Sequence, residues 1–242
     1  MTEVQKHYDE LLARHYSWML GDYESNVQKY MDFFRTHLLV PLLSRRAIDL
    51  GCGTGFQCMA LAGMGFKVEG IDRSLPLLDE LKRRSKGHSV RAVQGDITEF
   101  QTSAAHLPVE IITCMGDTLT HLDSFDKVAS LFDKIYRSLE KGGVTVLSFR
   151  DNLRELKGAE RMIPVRSDDR RIMTAFIEFA GNHVIVNDMI HTKEGGGWIV
   201  EKGSYKKLRI GAEWASRQLE RCGFRIMWEG TEDGFTEIIA EK

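Results

Sequence analysis

Two hydrophobic periods divide the chain. From Arg46 onward, the short apolar runs AIDL, KVEGID, SVRAVQGD, VEIITCM and GGVTVLSF are parted by stretches with apolar residues at helical spacing. Strands separated by amphipathic helices predict βαβ units and therefore a parallel sheet. After Arg150 the helical spacing stops. IMTAFIEF, HVIVNDMIH and GWIVEKGSYKKL follow one another with AGN and a glycine run between them, which predicts an antiparallel meander inserted over about 160–208, its strands falling within 172–208. A last helix over 212–222 leads into GFRIMWEG and GFTEIIAEK, read as an antiparallel hairpin whose loop holds Thr231, Glu232, Asp233 and Gly234. Ahead of the sheet, residues 3–39 contain no proline and one glycine, with Leu11, Leu12, Tyr16, Met19, Leu20, Met31, Phe33 and Phe34 at helical spacings. They predict two helices broken near Gly21, forming a cap over 1–40.

Composition narrows the picture. A chain of 242 residues, 43% hydrophobic and 28% charged, can bury one α/β core, so a single domain over 1–242 is expected. Lys and Arg number 33 against 35 Asp and Glu, for a formal charge of −2, so nucleic acid is not an expected partner. Cys52, Cys58, Cys114 and Cys222 make no C-x-x-C pair and read as reduced cytoplasmic thiols. The charged opening MTEVQKHYDE and the lack of any run of 18 apolar residues predict neither secretion nor a membrane partner.

The candidate chemistry sits at strand ends. AIDLGCGTG is a strand, a turn with glycines at 51, 53 and 55, and then the helical FQCMALAGM. That arrangement presents bare backbone and a helix start to a ligand. The second strand ends in Asp72, which could accept both hydroxyl protons of a ribose, and the third in Gly95-Asp96, where a side chain can reach an adenine amino group. All these ends share the carboxyl edge of the sheet, where open α/β folds bind ligands. The bland alternatives are a tight turn for the glycines and a helix cap for Asp72. A nicotinamide oxidoreductase is the rival from another class, but in G-x-G-x-x-G the third position is Phe56 counted from Gly51 and Cys58 counted from Gly53, neither Gly nor Ala.

DLGCGTG, with Asp72, Gly95-Asp96 and a fourth strand running into MGDTLTHL, resembles the class I S-adenosylmethionine-dependent methyltransferases over nearly the whole chain. LGDYESNVQKY, MGDTLTHLDSF and GGVTVLSFRDN are similar to stretches of the glycine/sarcosine N-methyltransferase-like subgroup. The resemblance implies a Rossmann-like, doubly wound α/β sheet of seven strands in the order 3-2-1-4-5-7-6, strand 7 antiparallel, with S-adenosylmethionine as cofactor. It implies that Asp49, Gly51 and Gly53 lie along the methionine moiety with Cys52 between the glycines, that Asp72 holds the ribose with Arg73 beside it, and that Asp96 and Ile97 bracket adenine. Met115 and His121 would complete the cofactor wall. Tyr16 falls where the subgroup has an aromatic residue over the cofactor, the alternative being an aromatic packed between helices. Asn26 falls where the subgroup has an arginine for the methionyl carboxylate.

On the acceptor side, Arg150 matches the subgroup's arginine for an amino-acid carboxylate, against the alternative of a surface ion pair with Asp151 or Glu155. Asp117 replaces an asparagine and Met189 a tyrosine, so glycine itself is not the expected acceptor. Asp117 could take or orient an acceptor proton, and His121 could shuttle one or merely bond within its loop. The expected acceptor is a small molecule, amine or amino-acid-like with a carboxylate, an oxygen acceptor being the alternative. The meander would serve as a lid or as a homodimer surface. A cofactor-binding module without catalysis is the remaining alternative.

Overall fold

A computed structural model of the protein describes residues 3–100, 108–232 and 234–242. The N-terminal segment is more broken than its periodicity predicts. Helix α1 (Glu3–His7) widens into a π-helical turn over Tyr8–Leu12, then come α2 (Tyr16–Leu20) and α3 (Tyr23–Thr36), with the predicted break at Gly21 between the last two. Asp22 starts α3 by accepting a 2.8 Å hydrogen bond from Ser25 N–H.

The alternation that follows comprises β1 (Arg46–Leu50), α4 (Phe56–Gly63), β2 (Lys67–Asp72), α5 (Leu75–Arg84), β3 (Val90–Gln94), β4 (Val109–Cys114), α6 (Phe125–Ser138) and β5 (Leu139–Phe149). Helix α5 shows how local sequence sets such an element. Pro76 stands in its first turn, where no amide is missed, Lys82, Arg83 and Arg84 occupy the last turn at the negative end of the dipole, and Leu77, Leu78 and Leu81 are buried. Four antiparallel strands come next: β6 (Met162–Ser167), β7 (Arg171–Ala180), β8 (His183–Glu194) and β9 (Gly197–Leu208). The chain closes with α7 (Ala212–Cys222), β10 (Arg225–Glu232) and β11 (Phe235–Glu241).

The main sheet runs β3-β2-β1-β4-β5-β11-β10, with β11 antiparallel to both β5 and β10. This is the order and the reversed seventh strand expected above. It differs from the all-parallel six-stranded order of dinucleotide-binding folds. Leu131, Phe132, Ile135 and Leu219 of α6 and α7 pack on one face, and Val27, Phe34, Leu61, Leu78 and Leu81 of α3, α4 and α5 on the other.

Two readings need correction. The insertion has a fourth strand, β6, where the sequence reading had three, and Thr231 and Glu232 belong to the hairpin's ladder, paired with Thr236 and Phe235. Asp233 lies outside the described residues. The inserted strands form their own sheet, whose inner face (Met173, Ile177, Val186, Ile190 and Tyr205) packs against Leu11 and Leu12 of the N-terminal segment. No helix among the described residues is long and apolar enough to cross a membrane.

Candidate active site

The turn after β1 needs its glycines. Gly51 and Gly53 have φ of 74° and 52°, in the left-handed region, and a Cβ on Gly51 would fall inside the Thr118 side chain. Asp72, at the end of β2, holds the turn in place. Its Oδ2 accepts from Gly53 N–H at 2.9 Å and its Oδ1 from Ser74 N–H at 2.9 Å. Asp72 thus braces local backbone and still lines the cleft, while the N-cap of α5 is Ser74 rather than Asp72. A carboxylate has about four acceptor positions, so these bonds do not exhaust it. Burial raises the Asp72 pKa, the backbone hydrogen bonds working against that rise.

Around this turn opens a cleft of about 730 Å³ including its mouth. Gly51, Gly53, Asp72, Arg73, Asp96, Ile97, Tyr16 and His121 all line it, so eight of the residues singled out from sequence meet there. Leu77, Leu122 and Ile97 give it an apolar stretch, and Thr118 and Ser74 join the wall. Arg73 is ion-paired with Asp96, which also accepts from Thr98 N–H at 2.9 Å. Burial pulls the Asp96 carboxyl up, but these bonds outweigh it and hold it below its usual value.

Other candidates lie off the cleft lining. Asp49 is 1% exposed beneath the turn, accepting from Thr113 Oγ1 at 2.7 Å and from the Cys58 thiol, and burial pushes its pKa to about 6. It ties β1 to β4 and α4. Cys52 is buried over Gly70, its thiol pushed up to about 11 by burial, and Met115 is a core side chain. Asn26 spends both amide protons on Leu20 O and Asp22 O, at 3.0 and 2.7 Å, stitching the break at Gly21, so it has no donor left for a carboxylate.

Asp117 and Arg150 do come together, in a way the sequence reading did not foresee. Asp117 accepts from Arg150 N–H at 3.0 Å, from the Arg150 guanidinium at 2.6 Å and from Lys207 Nζ at 2.8 Å. Burial would raise its pKa, but Lys207 and then Arg150 overcome that and hold it far below the carboxylate range. A carboxylate so held is a poor base, which favours the orienting role over the proton-accepting one. Arg150 pairs with Asp117 rather than with Asp151 or Glu155, and its guanidinium lies 4.0 Å over the Phe235 ring.

Lys207, Tyr8 and Tyr205 were missed. Lys207 is 8% exposed on β9 beside Tyr205, whose ring lies 5.5 Å from His121. Tyr8 reaches His121 Nε2 through its hydroxyl at 3.3 Å. Burial and then Lys207 push the His121 pKa down to about 3, which favours the neutral ring in the cleft wall. The available signal was the alternation in GSYKKL, which aims Tyr205 and Lys207 inward and Ser204 and Lys206 outward.

Comparison with known proteins finds methyltransferases. The family model described as a methyltransferase domain matches residues 47–143, from β1 to the start of β5. Over 149 residues the chain is 29% identical to the cypemycin N-terminal methyltransferase of Streptomyces sp, covering 60% of each chain. It is 30% identical over 134 residues to the glycine/sarcosine N-methyltransferase of Halorhodospira halochloris, covering 54% of this chain and 49% of that one. The matches therefore span roughly half to three fifths of these relatives. Among solved structures, the S-adenosylmethionine-bound amino pentose methyltransferase of Micromonospora echinaspora superposes with a TM-score of 0.74 at 19% identity, over 91% of this chain and 92% of that one, and shares the fold.

Proposed function

We propose that this chain, which is similar to S-adenosylmethionine-dependent methyltransferases, is itself one and that it methylates a small molecule carrying an anionic group gripped by Arg150 and Lys207. The carrying observation is the cluster at the carboxyl edge of β4 and β5. One carboxylate, Asp117, is shared by two cations, so this cluster of three carries one unmatched positive charge. Lys207 is nearly buried there, and an unmatched cation with little solvent favours an incoming anion. The glycine/sarcosine relative adds that an amino-acid-like acceptor suits the family.

The residues on the cleft fit the cofactor. A diol needs acceptors, and the Asp72 carboxylate on the cleft wall offers one. An adenine needs an apolar slot with a polar end, given by Ile97, Leu77 and Leu122 with Asp96 and Arg73. A cationic sulfonium favours uncharged neighbours, met by Tyr8, Tyr16 and neutral His121. The cofactor, when bound, supplies a methyl group on a good leaving group. The chain's share is alignment: the cationic cluster fixes the acceptor, and the aromatic wall excludes water from its nucleophile. The same cluster would also favour an oxygen nucleophile that enters as its anion, which product analysis separates from N-methylation.

The test is a methylation screen over amino acids, amines, carboxylic acids and phenols. With the acceptor found, Arg150→Lys and Lys207→Met are each expected to raise its KM roughly ten- to a hundredfold, the worth of a charge-assisted hydrogen bond, while cofactor affinity stays unchanged. A neutral acceptor, with KM unaltered in both variants, would show the anion reading to be wrong.

A further inference from the structure

Residues 3–20 roof the cleft, with Val4, Gln5, Tyr8 and Tyr16 on its wall. This roof cannot hold itself. Helices α1 and α2 have five residues each, far short of the length an isolated helix needs. Its polar ties reach the inserted sheet, Arg14 to Glu201 at 2.8 Å, His15 to Glu201 at 3.3 Å and Trp18 Nε1–H to Asp168 at 2.6 Å, and the α5 region, Ser17 Oγ to Glu80 at 2.7 Å and Ser74 Oγ to Asp9 at 2.8 Å. The Arg14 and Trp18 ties are exposed and contribute little.

One tie differs. His7 Nε2 lies 2.9 Å from Asp188 Oδ2 on β8, and both side chains are 3% exposed. The imidazole packs on Tyr205 with ring centroids 4.6 Å apart. Its seat exists because β9 carries glycine at 203. A Cβ there would lie 2.5 Å from His7 Nδ1 and 3.4 Å from Leu11 Cδ2. Gly203 is not among the residues with positive φ, so its backbone does not demand glycine, whereas the close approach of His7 does. Directly after His7 the helix widens into its π turn, and Tyr8 carries its hydroxyl to His121 across the cleft.

We propose that His7 is a positioning residue: paired with Asp188 and seated on Gly203, it latches the roof so that Tyr8 closes the cofactor cleft. The part concerning the cofactor rests on the methyltransferase reading; the latch itself does not. Only the closed roof completes the wall, so breaking the latch lowers the closed fraction and raises the apparent Kd by the same factor.

The experiment compares wild type, Gly203→Ala, His7→Ala and the double variant by S-adenosylmethionine calorimetry, by tryptic cleavage after Lys6 and Arg14 with and without the cofactor, and by melting. Gly203→Ala and His7→Ala are each expected to weaken cofactor binding roughly tenfold and to speed N-terminal cleavage even without cofactor, the main melting transition staying in place. The double variant should be no worse than His7→Ala, because the added methyl takes space the imidazole has left. Should Gly203→Ala fail to fold, His7→Ala and the double variant still decide. Wild-type cleavage rates in His7→Ala, or additive losses in the double variant, overturn the latch. Faster cleavage in the variants with no cofactor binding by wild type would instead leave the latch standing and remove the methyltransferase reading.

Discussion

Replacing Asp72 with alanine is expected to weaken S-adenosylmethionine binding by roughly ten- to a hundredfold. Two losses combine in that figure. The ribose loses a charged acceptor, and the Gly53 and Ser74 amides lose the carboxylate that now holds both at 2.9 Å, so the turn itself is less well organised. Asp72→Asn separates the two. It retains one oxygen acceptor but turns an NH₂ group toward one of these backbone donors, so it should fall between wild type and alanine. Calorimetry with the cofactor, alongside a melting curve for each variant, is the check. Unchanged affinity in Asp72→Ala, with only the melting temperature lowered, would assign the residue to bracing alone.

The largest stability effect is expected at Asp117. Replacing it with alanine leaves Lys207, whose side chain is 10% exposed, with its charge unmatched. Removing one partner of a buried ion pair costs about 3–5 kcal/mol. The lower part of that range is expected, since Arg150 is half exposed and solvent screens its share. Lys207→Met should cost less, because Asp117 retains Arg150. The sign with pH follows from the depressed Asp117 pKa. The ionised pair stabilises fully above the unfolded carboxylate value of about 4 and is lost as pH falls through the lower folded value. Denaturant unfolding of wild type and Asp117→Ala should therefore differ most near neutrality and converge in strong acid. A difference that is flat from neutral to strong acid would mean that Asp117 acts by packing.

The main sheet was legible because each parallel strand is short, apolar and followed by a helix, and because the glycine turn and the strand-end acids carry chemistry that only one edge of such a sheet brings together. The oxidoreductase alternative was set aside because Phe56 or Cys58 stands where its turn needs Gly or Ala, and the antiparallel β11 between β5 and β10 agrees. What was not legible depended on contacts between distant segments. β6 escaped because Pro164 interrupts its run, which an edge strand tolerates and a central one does not. The π turn at Tyr8–Leu12 has no periodicity of its own in five residues. Asp49 and Asn26 were assigned by position in a motif, yet each spends its hydrogen bonds within the protein. Lys207 lies 90 residues from Asp117 and meets it because the inserted sheet folds back over the strand ends.

The central claim, that this cleft is an S-adenosylmethionine site, is tested most directly by titrating the full chain with that cofactor, with its demethylated product and with NAD in parallel calorimetry. The geometry of the glycine turn, Asp72 and the apolar slot predicts one site per chain for the cofactor and for its product, and no heat with NAD. Binding of NAD with no response to either sulfur compound would contradict the account.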